Sequence, residues 1–258
     1  MSEQANDGCA AGFGTRLIGR TDEMVLPIGM HDFTEVACRC VLVDKTMFIA
    51  DVLDCDASVV VCCRPEGFGK SMNLSMLKAF LERPAVGRAD RSLFAGSRIW
   101  DADGGHYRGE YACYLVVSLD FSGAAGSGAA VAGVVRDALS SECVRLLPFL
   151  EAPDLPRDKV RHIERVARGV ANEDEVDSVL AVLIELLEMA CDEQVVLLVD
   201  GYDAAWLSRA GIRGTRDDGS AELLDRVLFD AIVAAGDSMR LACLMGERPG
   251  LAEAALAL

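Results

Sequence analysis

Short, β-branched apolar runs alternate along this chain with longer stretches whose apolar residues recur every three or four positions. Val59–Cys63, Tyr114–Phe121, the run from Gln194 to Asp200 and Arg240–Met245 are the short runs. A continuous apolar stretch of this length predicts a strand buried on both faces, as in parallel sheets. Between them lie helical patterns. Leu74, Leu77 and Leu81 share one face after Lys70; Ala129–Leu147 runs to a stop at Pro148; Pro153–Gly169 ends at a glycine. Asn172 with Glu175 forms a capping-box signature, followed by Val176, Val179, Leu180, Leu183 and Leu187 on one face. Ser220 caps a further helix through Ile232, with Gly236 as its stop. Strands alternating with helices predict an α/β fold with a mainly parallel sheet.

The front of the chain is less regular. Residues 1–25 are rich in Gly, Ala and polar groups and predict a mobile start. Gly12-Phe13-Gly14 follows no strand and reads as loop. Asp32 caps a short helix, Val41–Val43 is extended, and Asp44-Lys45-Thr46 opens a helix ending near Leu53. Residues 84–113 read as loop-rich. One domain over 26–258, with a helical insertion at about 129–191, accounts for the pattern.

Composition narrows the function classes. Hydrophobic residues make up 52% of 258 residues, enough for a sizeable core. The formal net charge of −16 opposes non-specific binding to nucleic acid or anionic membrane. The 10 cysteines include no Cys-x-x-Cys pair, so neither a zinc site nor a disulfide scaffold is indicated. No signal peptide or membrane span is visible, and Val176–Ala190 is broken by Asp177, Glu185 and Glu188. A cytoplasmic protein is expected. The one basic stretch holds Arg157, Lys159, Arg161, His162, Arg165 and Arg168. It reads either as a solvated helix face or as a lobe that touches phosphate, nucleotide or polynucleotide.

The candidate chemistry sits where the first long strand meets its helix. Val59–Cys63 leads into Arg64-Pro65-Glu66-Gly67-Phe68-Gly69, then Lys70-Ser71 and the helix. Strand, turn, Gly-Lys-Ser and helix form the layout of a phosphate-binding loop. Helix N-terminal amides attract an anion, a lysine reaches the outer phosphates, and a serine hydroxyl can ligate Mg²⁺. Arg64 stands where the first glycine of the usual pattern belongs. Gly-Lys-Ser alone would also fit an ordinary strand-to-helix turn. A second motif supports the phosphate loop: Val195–Val199 ends in Asp200, and a carboxylate at the C-terminal end of a parallel strand points into the ligand crevice. There it can hold Mg²⁺.

Four stretches in this order, LPIGMHDF with VDKTMFI, CRPEGFGKSMNLSMLKAFLE, LVVSLDF, and VVLLVDGYD with LACLMG, resemble the bacterial AAA-ATPase-like family over roughly residues 26–250. The resemblance implies a three-layer P-loop NTPase fold of the ASCE type. It places the Arg240–Met245 strand between those of Val59–Cys63 and Gln194–Asp200. It implies ATP with Mg²⁺ as ligands, a cradle of Arg64 to Gly69, Lys70 on the β- and γ-phosphates, and Ser71 and Asp200 on the metal. Asp44 and Lys45 match the family's Asp-Lys-Thr motif. Two departures stand out. The family carries a water-polarising glutamate after the Walker B aspartate, and here that place is Gly201. Members commonly continue into a restriction-endonuclease-like domain, which this sequence does not contain, so it reads as a shortened or degenerate member or a fragment.

Three functions follow. The first is a Mg-nucleotide binding protein with weak or absent hydrolysis, acting as a switch or module with a protein partner or as a homo-oligomer. The second is an active ATPase using Asp203 as its base. The third is an interaction scaffold without nucleotide. ATP is preferred to GTP by resemblance only.

Overall fold

The computed structural model describes residues 17–19, 27, 29–84, 87, 89–211, 220–248 and 252. Most of the predicted mobile start, the Gly12–Gly14 pattern and the alanine-rich tail lie outside the described residues. The first elements are β1 (Leu17–Gly19), α1 (Phe33–Arg39), β2 (Val41–Val43), α2 (Met47–Leu53), β3 (Val59–Cys63), α3 (Lys70–Leu81) and the short α4 (Arg98–Asp101). Then come β4 (Leu115–Asp120), α5 (Gly128–Leu146), α6 (Arg157–Ala167), α7 (Glu173–Cys191), β5 (Val195–Asp200), α8 (Ala204–Gly211), α9 (Ser220–Asp225), α10 (Ala231–Ala235) and β6 (Met239–Gly246).

The main sheet has four parallel strands in the order β3-β6-β5-β4. The last strand in sequence therefore inserts between β3 and β5, as the resemblance implied. Side chains of successive strand residues point to opposite faces, and the chain fills both. Leu115, Val117, Leu119, Val195, Leu197, Val199 and Leu244 pack on the side of α5, α7 and α10. Val116, Val196, Leu198, Leu241, Cys243 and Met245 pack on the side of α2 and α3, with Leu74, Leu77 and Phe80. Helix, sheet and helix give three layers. The edge strand β3 is only half buried along its length, in contrast to β5. Strand β1 lies within the region expected to be a mobile start; it pairs antiparallel with β2 in a separate sheet.

Local rules explain most element ends. Asp32 accepts the Glu35 N–H to cap α1, and Asn172 and Glu175 complete the capping box of α7. Gly169 ends α6 at φ +68°. The helix expected from Ser220 to Ile232 is broken instead by a π-helical turn at Arg226–Asp230. The Asp-Lys-Thr motif has a structural role: buried Asp44 accepts from Thr46 N and Oγ1 and from Arg98 N, while Thr46 Oγ1 accepts from Ile99 N. The motif thus clamps the start of α2 to the start of α4, and Lys45 points to solvent.

Candidate functional site

The C-terminal ends of the four strands form one rim. Register aligns Cys63 with Gly246, Met245 with Asp200, and Asp200 with Asp120. A cleft of about 880 Å³ opens above it, lined by Gly67, Gly69, Lys70, Ser71, Asp120, Asp200 and Glu247 among others. That volume lies within the roughly 300–1,000 Å³ typical of ligand sites.

The loop after β3 is tied to the sheet at its base. Arg64 N–H donates to Gly246 O, 3.0 Å, and its guanidinium donates to Cys63 O, 3.0 Å. Gly67 and Gly69 take φ of +80° and +75°, the left-handed region that favours glycine, and a Cβ on either would meet open space rather than protein. Gly69 caps α3 with no side-chain hydrogen bond, so the first amides of a 12-residue helix face the cleft without an intrahelical acceptor. Such an end attracts anions. Glu66, Gly67, Gly69, Lys70 and Ser71 line the cleft, whereas Arg64, Pro65 and Phe68 are not among its lining residues. Phe68 is exposed.

Lys70 is held over the loop. Its Nζ donates to Arg64 O at 2.7 Å and to Glu247 Oε1 at 3.3 Å. Ser71 lies beside the carboxylate of Asp200, which is buried, and both line the cleft. Burial raises the Asp200 pKa above the ordinary carboxylate value and the negative Asp120 adds to this, while Ser71, the Gly201 amide and Lys70 pull it down. The donor set fits a hard cation with a polyphosphate: a hydroxyl and a carboxylate side by side, with an ammonium and helix amides alongside. Ser71 and Asp200 would hold Mg²⁺, which supplies charge neutralisation at the phosphates when bound.

The family model described as Predicted AAA-ATPase matches residues 27–249. The chain belongs to this family. No curated protein and no solved structure matches it. The family is consistent with the α/β fold and its parallel four-strand sheet, and the remaining residues singled out from sequence can be placed in that fold.

Asp203 is 1% exposed, and its Oδ2 accepts the backbone N–H of both Glu247 and Arg248 at 2.7 Å. Buried Tyr202 donates its hydroxyl to Arg248 O. Gly246 is packed so closely that a Cβ there would stand 2.4 Å from Tyr202 Cε1 and 2.7 Å from Asp203 Oδ1. Asp203 and Tyr202 together pin the turn after β6, which carries Glu247 to Lys70. The basic stretch on α6 is a paired surface: Lys159 meets Glu185, Arg165 meets Glu175, and Arg168 meets Glu164. His162 Nε2 sits 2.6 Å from Glu175 O. Arg157 and Arg161 are exposed on the same helix, away from the cleft lining. Sequence reasoning did not single out Asp120 or Glu247. No group of three or more His, Cys, Asp and Glu residues placed to hold a metal ion occurs among the described residues, and no described helix is long and apolar enough to cross a membrane.

Proposed function

We propose that this chain binds Mg·ATP in the cleft at the strand ends and turns it over slowly, serving as a nucleotide-dependent binding module. The observation that carries this is the convergence of three elements. The N-terminus of α3, the Lys70 ammonium and the Ser71–Asp200 pair face one cavity. Lys70 grips the outer phosphates, the amides of Gly69 to Met72 bind phosphate oxygens, and Ser71 with Asp200 orients the metal. ATP is preferred because the family is described as an ATPase.

Slow turnover follows from Gly201. The position after Asp200 offers no carboxylate to a water, so any base must act from another element, and turnover is slower than with a glutamate placed there. The reading that makes Asp203 the base is less favoured, because its carboxylate is buried and engaged with two backbone amides. Asp203 is better described as a positioning residue for Glu247 and Arg248.

The test is titration of the purified chain with a fluorescent ATP analogue, with and without Mg²⁺, alongside Lys70→Ala. A charge-assisted contact contributes about 1.5–3 kcal/mol, so the substitution weakens binding by roughly 10- to 150-fold. An unchanged dissociation constant in Lys70→Ala would remove the phosphate-loop assignment. No binding by the parent chain at millimolar nucleotide would leave the scaffold reading.

A further inference from the structure

The missing glutamate leaves a question about which group could activate a water in this cleft. Besides Asp200, four carboxylates line it among the described residues: Glu66, Asp120, Asp203 and Glu247. Asp203 is buried and bonded to two amides. Glu247 is paired with Lys70. Glu66 belongs to the exposed turn ahead of Gly67, outside the rim formed by the strand ends.

Asp120 differs in each respect. It ends β4, in register with Asp200 on β5. Paired residues of adjacent parallel strands point to the same face, and neighbouring strands lie about 4.8 Å apart. Val116, two pleats earlier on β4, packs with the α3 side of the sheet, as do Val196 and Leu198 on β5. Asp120 therefore shares with Asp200 the face that carries Lys70 and Ser71. It is exposed, and its Oδ1 accepts the Ser122 N–H at 2.9 Å. Among the described residues this is its one hydrogen bond, so its second oxygen is open to the cleft.

A second observation links Asp120 to the lost glutamate. A Cβ built on Gly201 would lie 2.5 Å from Ser122 Cα and from Ser122 N, and 2.9 Å from Phe121 C. The turn that follows Asp120 thus occupies the space in which a side chain at position 201 would begin. Where the resemblance places a carboxylate just after β5, this chain places the backbone of the turn that follows Asp120.

We propose that Asp120 is the carboxylate that orients and deprotonates the attacking water. The inference rests on the nucleotide reading above. Asp120 takes one proton from the water as its oxygen bonds to the γ-phosphorus. The bond from that phosphorus to the β–γ bridging oxygen breaks, and its electron pair leaves with ADP. Asp120 then returns the proton to solvent, and the products are ADP and inorganic phosphate. No oxidant, reductant or further co-reactant is involved.

The experiment uses the full chain and two readouts, phosphate release under single-turnover conditions and Mg·nucleotide affinity by fluorescence. The parent releases phosphate slowly. Asp120→Asn keeps the dissociation constant within about threefold, while release falls by roughly 10²–10⁴, the range expected of a general base. Asp120→Glu, which keeps the carboxylate on an exposed site, recovers part of the release. Release by Asp120→Asn at the parent rate would overturn the proposal. So would a loss of release matched by an equal loss of Mg·nucleotide affinity, which would make Asp120 a metal ligand, or a loss seen in Glu247→Gln and not in Asp120→Asn. A parent that binds nucleotide without releasing phosphate also overturns it and leaves the binding function standing. A parent that binds no nucleotide removes the reading on which it rests.

Discussion

Replacing Glu247 by Gln tests how the cleft balances its charges. In the structure the Glu247 carboxylate stands 3.3 Å from Lys70 Nζ, with side-chain exposures of 36% and 14%. Any phosphate that binds Lys70 must share or displace this partner. Exposed ion pairs contribute about 0.2–1 kcal/mol, and the partial burial of Lys70 places this pair toward the upper end. The carboxylate also repels incoming phosphate; two unit charges 4 Å apart interact by about 1 kcal/mol in water-like surroundings. Removing the charge while keeping the shape relieves both, for a gain of about 1–2 kcal/mol, or roughly 5- to 30-fold tighter nucleotide binding. Fluorescent-nucleotide titration at low and high salt measures it, and the gain shrinks as salt screens both contributions. In a Lys70→Ala background Glu247→Gln gains less, because the competition for the ammonium is gone. Unchanged or weaker affinity in Glu247→Gln would refute the idea that Glu247 competes with phosphate.

Two further substitutions probe the same rim. Gly201→Glu restores the residue type expected after Asp200, yet its Cβ would meet the Ser122 backbone at 2.5 Å, on a residue at φ +66°. Left-handed strain and overpacking each cost about 1–3 kcal/mol. The Tm therefore falls by at least about 4 °C, at about 2–4 °C per kcal/mol for a chain of this size. Differential scanning fluorimetry should show the fall, with no rise in phosphate release; an unshifted Tm with faster release would sink the argument. Burial and the neighbouring Asp120 raise the Asp200 pKa. Above the ordinary value of about 3.9 and up to that raised value, the native state holds a proton the unfolded chain has lost. The contribution of this group to stability thus falls as pH rises through that window. Asp200→Asn removes the slope and stabilises the nucleotide-free chain at neutral pH. Thermal denaturation at a series of pH values checks this, and identical pH slopes in the two proteins would contradict it.

The strands were legible because each is a continuous apolar run of strand length, and the central position of β6 followed from the family resemblance. The strand-to-helix turn at Arg64–Gly69 and the strand ending in Asp200 were legible from local pattern, and the structure brings Ser71 beside Asp200. Asp120 carries the same local signal as Asp200, since LVVSLD and VVLLVD both close an apolar run with aspartate. Only register shows that these two ends are neighbours on one face. Glu247 reaches Lys70 across 177 residues of sequence through a turn fixed by Asp203, and no periodicity reports such a contact. Strand β1 has three residues, too few for a pattern. The π-helical turn at Arg226–Asp230 leaves the apolar face unbroken in sequence, so a continuous helix was the natural expectation. Asp44 and Thr46 show their purpose only once α4 lies against them.

The geometry of the cleft belongs to the sheet more than to the loop. Asp120 and Asp200 face α3 because β4 and β5 are paired in register, and a one-residue slip would turn one of them to the opposite face. That register is held by side chains buried on both faces of the sheet. Beyond the strands, two tight glycines fix the rim: Gly201 against the Ser122 backbone, and Gly246 against Tyr202 and Asp203. The change at position 201 is therefore coupled to the turn after β4. A side chain there would push away the same segment that presents Asp120. Within this backbone, a carboxylate reaches the cleft from β4 without strain, and one at residue 201 would not.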